Sequence, residues 1–320
     1  MQHDTGQAVA SPVSVNQAEL IRLAGPARII ALDVLRINSL QTGAYVSHFR
    51  GRGMEFDESR PYQPGDDPRN IDWRVTARST TAYTKLFREE RERPVLLVVD
   101  LRNTMHFATR GCYKAVVAGR AAGLLSWAAN HRGDRLGGLI FGDTTHREVK
   151  PRLGRQAALR YLHELVAHPD WAHSDPPPGA DAEPPLTQAM AALRRVVRPG
   201  SLVVVLSDFV DFSRAAQSYL AGIARHSEVM AVFISDPLER RLPPPGRYRL
   251  VSHEGEMAID TFLSSARADY QRAFEERREG LETFCQRYGV HLLALSTEDD
   301  PVLSLQQALG KRRHSTLRRR

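Results

Sequence analysis

From Pro94 onward the chain alternates short, uninterrupted apolar runs with longer stretches of helical spacing, and this pattern restricts the fold more than any other feature of the sequence. The runs Val95 to Val99, Leu202 to Leu206 and Val229 to Ile234 contain only apolar residues. A strand that is apolar at every position, rather than at every second one, must be covered on both faces. Helices in the connections supply that cover, and helical spacing is found there, over Tyr113 to Asn130, Arg155 to Ala167, Leu186 to Val197, Ser213 to Arg225, Phe262 to Tyr288 and Pro301 to Leu309. Val95 to Asp100, Arg135 to Phe141, His146 to Lys150, Leu202 to Leu206, Val229 to Ile234 and Val290 to Leu295 read as strands. Tyr248 to Ser252 and Met257 to Asp260 read as an inserted hairpin. The expected fold is α/β: a doubly wound, mostly parallel sheet of Rossmann-like type over residues 94–310.

Ahead of it, residues 1–16 are polar and expected to be disordered. Apolar residues from Gln17 to Leu40 recur at helical spacing broken by Gly25-Pro26, which predicts two short helices. Residues 41–93 are dense in Gly, Pro and charge, with ten basic and nine acidic side chains between Arg50 and Arg93. Residues 17–93 therefore read as a helical and charged-loop extension.

The chain carries 44 basic and 37 acidic residues in 320, a formal charge of +7. Six of the basic side chains lie in the last ten residues, a basic tail over 311–320, which leaves the preceding 310 residues with one cation in excess. A nearly neutral body argues against a nucleic-acid surface, and no interleaved aromatic and basic pattern is present. No apolar run approaches the ~20 residues a membrane helix needs, and the first residues lack the basic-then-apolar pattern of a secretory signal, so a cytoplasmic protein is expected. Cys112 and Cys285 read as buried thiols. There is no GxxxxGK[ST] loop, no GxSxG elbow and no clustering of the 12 histidines. Neither an ATPase nor a nucleophilic hydrolase is expected.

In doubly wound sheets ligands sit at the carboxyl ends of the strands, and two of the most apolar strands end in Asp100 and in Ser207-Asp208. Two such carboxylates with nearby hydroxyls can hold a hard cation. Equally, they can cap helices or pair with Arg102. The run Asp100-Leu101-Arg102-Asn103-Thr104, with Asp208 on a later strand, resembles the metal-ion-dependent adhesion site of von Willebrand factor A domains. That resemblance implies a von Willebrand A-like domain with Asp100, Thr104 and Asp208 as Mg²⁺ ligands. The departure is Arg102, a guanidinium where the family pattern Asp-x-Ser-x-Ser has its first hydroxyl, and Pro184 stands at the position of the family's threonine, with Thr187 close by. A cation there repels a metal and can itself satisfy both aspartates, so the site reads as degenerate and no cofactor is expected.

A second resemblance covers nearly the whole chain. Gly51 to Phe56, Arg60-Pro61-Tyr62-Gln63-Pro64-Gly65-Asp66-Asp67-Pro68-Arg69-Asn70-Ile71-Asp72-Trp73, Thr76-Ala77-Arg78, Ser207-Asp208-Phe209 and Asp236 to Pro243 together resemble the signature of the DUF58 family. This implies a bacterial protein with a MoxR-type AAA+ ATPase as partner, in a chaperone-like system that matures or remodels other proteins. The residues themselves allow two readings. Pro64-Gly65-Asp66-Asp67-Pro68 is turn chemistry, and a helix over Asn70 to Ala77 would put Arg74 and Arg78 on one face, with Trp73 a buried anchor and Asp72 bonded to a backbone amide or an arginine. Glu55, Arg60, Asp66, Asp67, Arg69, Asp72 and Arg78 then form an internal salt-bridge network, or the segment, with Tyr62 and Gly65, is a partner-docking surface. The expected function is a non-enzymatic adaptor or co-chaperone; a metal-dependent ligand-binding domain and a nucleic-acid-binding protein are the alternatives.

Overall fold

A computed structural model describes residues 11–32, 54–63, 66–79, 81–89, 93–172, 183–252 and 255–309. The chain divides into two compact units, Gly43–Glu92 and the remainder.

The larger unit is built on a six-stranded sheet. Its strands are β3 (Pro94–Asp100), β4 (Arg135–Phe141), β5 (His146–Arg152), β6 (Leu202–Ser207), β7 (Glu228–Ser235) and β10 (His291–Ser296), in the spatial order β10-β7-β6-β3-β4-β5. All pairs are parallel except the β4–β5 hairpin. The helices are α1 (Gln17–Arg22), α3 (Lys114–Arg132), α4 (Arg155–Val166), α5 (Pro185–Val196), α6 (Arg214–Ala224), α7 (Pro237–Arg240), α8 (Ser264–Tyr288) and α9 (Pro301–Leu309). The doubly wound, mostly parallel α/β fold expected from the apolar runs is the fold observed, and those runs match the strands to within a residue or two. The inserted hairpin is β8 (Arg247–Ser252) with β9 (Gly255–Asp260).

Each central strand feeds two cores. Val95, Leu97 and Val99 of β3 pack with Leu202, Val204 and Leu206 of β6 beneath α3, α4 and α9. Leu96 and Val98 pack with Val203 and Val205 beneath α5, α6 and α8. This is the physical reason why the strands are apolar throughout. The chain runs from β3 outward through β4 and β5, then returns to the other side of β3 with β6 and continues to β7 and β10. The direction of winding reverses between β3 and β6, and it is there that a doubly wound sheet opens its crevice.

The N-terminal part differs from expectation. Residues 11–16 are ordered: Val15 is buried, and the Asn16 side chain accepts from Glu19 N to cap α1. Together with a 3₁₀ turn over Pro26–Ile29, α1 packs on α3 and belongs to the α/β unit, so the helical stretch does not form one segment with residues 41–93. The approach depends on glycines in α3: a Cβ at Gly119 would lie 3.0 Å from Val15 Cγ1, and one at Gly123 would lie 3.1 Å from both Leu20 Cδ2 and Leu23 Cδ1. Residues 1–10, most of the Pro-rich loop (173–182) and the basic tail lie outside the described residues.

The smaller unit pairs β1 (Met54–Pro61) with β2 (Tyr83–Glu89), antiparallel, in register from Met54↔Glu89 to Pro61↔Tyr83 with a bulge between Phe56 and Glu58. The signature segment is the long connection of this hairpin. It holds a 3₁₀ turn, Pro68–Asn70, and one turn of helix, α2 (Trp73–Thr76), in place of a helix over Asn70 to Ala77.

Replacing Gly123 by Val should destabilise the protein by ~1–3 kcal/mol, read as a lowered urea midpoint, because the added methyls meet Leu20 and Leu23 in a packed seam.

Candidate functional site

At the switch point the two strand-end aspartates meet two buried cations. Asp100 Oδ1 accepts from Arg102 N and Nε, both at 3.0 Å, while its Oδ2 accepts from Arg102 Nη2 at 2.7 Å and from Ser207 Oγ at 2.6 Å. Asp208 Oδ1 lies 3.4 Å from the same Nη2 and accepts from Val210 N at 3.1 Å. Asp208 Oδ2 accepts from Lys114 Nζ at 2.8 Å, and Lys114 Nζ also donates to Glu239 Oε1 at 2.7 Å. Arg277 Nη2 stands 3.9 Å from that Glu239 oxygen. Asp100, Asp208, Arg102 and Lys114 are all buried, and their four charges cancel. Burial opposes the charge of Arg102, but Asp100 and Asp208 hold its pKa above the usual range. Burial likewise pushes Asp208 upward; Lys114 and Arg102 outweigh it and keep the carboxyl below the ordinary carboxylate value.

Local backbone follows from the same contacts. Phe209 and Asp211 have φ of 51° and 58°, left-handed values uncommon for residues other than glycine. They are held there by Phe209 N donating to Ser207 Oγ, by Arg102 Nη1 donating to Val210 O, and by burial of the Phe209 ring against Phe212. Strain of this kind persists only where the surroundings over-determine it.

This arrangement does not fit the divalent metal that Asp100, Thr104 and Asp208 would hold. Both Asp100 oxygens and both Asp208 oxygens are already engaged by a guanidinium, an ammonium, a hydroxyl and backbone amides, and a metal would add a double positive charge beside two buried cations. Thr104 is exposed while the two aspartates are fully buried. Thr187 is buried, its hydroxyl 2.8 Å from Ser213 Oγ. Among the described residues, no three of His, Cys, Asp and Glu converge as a metal-ligand set.

A third strand-end carboxylate, Asp236 after β7, ties the neighbouring loops together. It accepts from Thr109 N at 2.8 Å, Thr109 Oγ1, Thr297 Oγ1 at 2.6 Å and Leu238 N at 2.8 Å, and Glu239 returns a bond from Asp236 N to complete a capping box on α7. Burial raises its pKa, but these donors outweigh it and the carboxyl lies below its ordinary value. Glu239 thus joins the Asp236 hub to Lys114. Burial pushes the Cys285 thiol up to about 12; Cys112 is only half-buried, with Arg120 Nη1 at 3.3 Å from its sulfur, so it is not the core thiol expected.

In the signature connection the aspartates act mainly as caps. Asp66 accepts from Gln63 N at 2.9 Å and pairs with Arg60 at 2.7 Å, and the first of these contacts does most to lower its pKa. Tyr62 donates its hydroxyl to Asp66 O at 3.2 Å. Asp67 accepts from Arg69 N at 3.0 Å. Asp72 caps α2 by accepting from Arg74 N and Val75 N, and takes the Ser59 hydroxyl at 3.0 Å. Gly65 lies outside the described residues, as does the side chain of Glu55. Arg60–Asp66 is an ion pair of this connection; Arg69, Arg74 and Arg78 are exposed and make none among the described residues. The structure corrects the reading of Trp73 as a buried anchor. It is 70% exposed, on a helix of a single turn.

Residues 58–280 match the family model described as "Protein of unknown function DUF58". The chain belongs to the DUF58 family. The match spans the whole signature connection and every member of the buried charge network from Asp100 to Arg277. This DUF58 chain is 32% identical over 324 residues to the uncharacterized protein Rv1480 of Mycobacterium tuberculosis, covering 99% of each, and stands in the same relation to the uncharacterized protein Mb1516 of Mycobacterium bovis. It is similar in part to a conserved hypothetical protein, BatB, of Bacteroides thetaiotaomicron, at 13% identity and a TM-score of 0.38 over 67% of this chain and 96% of that one.

In this DUF58 protein the sequence singles out Asp100, Asp208 and Arg102 at the strand ends, and the structure brings those three together. Lys114, Ser207, Glu239 and Asp236 complete the group. A lysine opening an otherwise Ala-rich, buried helix is the signal that could have found Lys114. Replacing Lys114 by Met should lower stability by ~3–5 kcal/mol by leaving Asp208 and Glu239 without their ammonium. Adding Asp208→Asn should recover part of the loss, so that chemical denaturation of the four corners of the cycle reads a positive coupling. Stability from the depressed carboxyls of Asp208 and Asp236 is complete above about pH 4, the unfolded value, and is lost as pH falls through their folded values. Asp236→Asn should therefore lower the urea midpoint at neutral pH and shrink its fall on acidification below about pH 4.

Proposed function

We propose that this DUF58 chain is a non-enzymatic adaptor that docks protein partners through the connection between β1 and β2. The exposed indole of Trp73, flanked by Arg69, Arg74 and Arg78, which make no ion pair among the described residues, is the observation that carries the reading. Trp and Arg dominate binding hot spots, and a large aromatic left 70% exposed beside three arginines is surface that water solvates poorly and an acidic, partly apolar partner solvates well. The capping aspartates add preorganisation: Asp66, Asp67 and Asp72 fix the backbone on both sides of the ring, so little ordering remains to be done on binding. At the other strand ends the buried charges are neutralised by one another, an arrangement suited to holding loops rather than to activating a nucleophile. A MoxR-type AAA+ ATPase is the partner that the family resemblance favours, in a chaperone-like cycle that remodels other proteins. No helix among the described residues is long and apolar enough to cross a membrane.

The test is titration calorimetry of the full chain against a MoxR-type ATPase from the same genome. Trp73→Ala should weaken binding by ~2 kcal/mol or more, about thirtyfold, with an unchanged denaturation midpoint. Binding by the variant equal to that of the wild type would remove this surface from the reading.

A further inference from the structure

Beside the Asp236 hub lies a groove of about 840 Å³ outside the carboxyl ends of β7 and β10. Three arginines from three separate elements line it: Arg110 from the loop after β3, Arg241 at the end of α7, and Arg267 in the first turn of α8. Arg110 and Arg241 are exposed and have no ion-pair partner among the described residues; Arg267 donates through Nη1 to the carbonyls of Thr261 and Phe262. The rest of the wall mixes Leu238, Leu242 and the run Pro243 to Pro245 with polar side chains, Glu298 among them.

We infer that this groove binds an extended acidic peptide in which carboxylates alternate with apolar side chains. Charge and shape support that occupant together. Arginines from three elements and apolar side chains share the lining, so a ligand that meets both carries negative charge and buries carbon. The prolines offer no N–H, which withholds the convergent backbone donors that a phosphate cradle needs. Among the described residues no aromatic side chain lines the groove, so no stacking platform for a single-stranded nucleic acid is seen there. Leu263, the N-cap of α8, has no side-chain acceptor for the first-turn amides, and those amides together with the helix dipole favour a carboxylate next to the lining residue Ser264. Leu263, immediately before the lining residue Ser264, is exposed.

The groove is also held in shape. Asp236 fastens Thr109, one residue before Arg110, to the start of α7 and to Thr297, one residue before the acidic lining residue Glu298. Three parts of the wall therefore hang from one buried carboxylate, and a peptide meets a site already formed. The inference is independent of the Trp73 surface and concerns a second ligand.

Fluorescence anisotropy of the full chain with a short labelled peptide alternating Glu and Leu tests it. The expected result is salt-dependent binding that Arg110→Glu/Arg241→Glu weakens by about tenfold or more, that Trp73→Ala leaves unchanged, and that a Lys-Leu peptide does not share. Both arginines are exposed, so the double variant should keep its far-UV circular dichroism and melting temperature. No binding by the wild type, equal binding by the charge-reversed variant, equal binding of a Glu-Ser peptide, or equal binding of a single-stranded oligonucleotide of the same charge would each overturn the inference.

Discussion

The α/β unit is organised around the pairing of Asp100 and Asp208 with Arg102 and Lys114. Two carboxylates at the ends of adjacent buried strands would repel each other strongly if left alone in a medium of low polarity. Two cations from elsewhere in the chain cancel them, at the cost of taking four charges out of water. Lys114 sits in the first turn of α3, where the helix dipole disfavours a cation. Its presence there shows that the local preference of the helix gives way to the need of Asp208 and Glu239 for a positive partner. Because Arg102 also holds Val210 O, the same pairing fixes the left-handed loop after β6. The hub at Asp236 extends the pattern to the next strand end through Glu239.

The smaller unit relies more on backbone donors. Asp66, Asp67 and Asp72 each accept from backbone amides, which satisfies the turn and helix starts of a long hairpin connection. Arg60 keeps Asp66 as its ion-pair partner, whereas the exposed Arg69, Arg74 and Arg78 make no ion pair among the described residues.

The central strands and their helices were legible because strands covered on both faces are apolar at every position, a signal that survives without any knowledge of partners, whereas β5 and the inserted hairpin, mixed in polarity, were legible from short runs set beside turn residues. The site was legible where it followed from position alone: Asp100 and Asp208 end apolar strands, and Arg102 lies two residues from one of them. Lys114, Glu239 and Asp236 were not assigned, since their roles depend on contacts across 94, 125 and 127 residues of chain. Trp73 was misread for a different reason. Helical spacing over Asn70 to Ala77 suggested an inner face, but Asp72 starts the helix so late that only one turn forms. The β1–β2 pairing was hidden because a segment rich in Gly, Pro and charge reads as loop, and its pairing is set by a register that closes across a connection of more than twenty residues.

The burial of Lys114 makes this residue distinctive in a chain that uses Arg for 40 of its 44 cations. Lys150 is exposed, whereas Lys114 is sealed beneath the strand ends with its ammonium shared between two acids. An amine that is enclosed and held between two carboxylates does not meet an acylating reagent unless the loops around it part. Nature has therefore left a chemical witness at the centre of the molecule: acylation of that one nitrogen, followed over time beside Lys150, records how often the strand ends open.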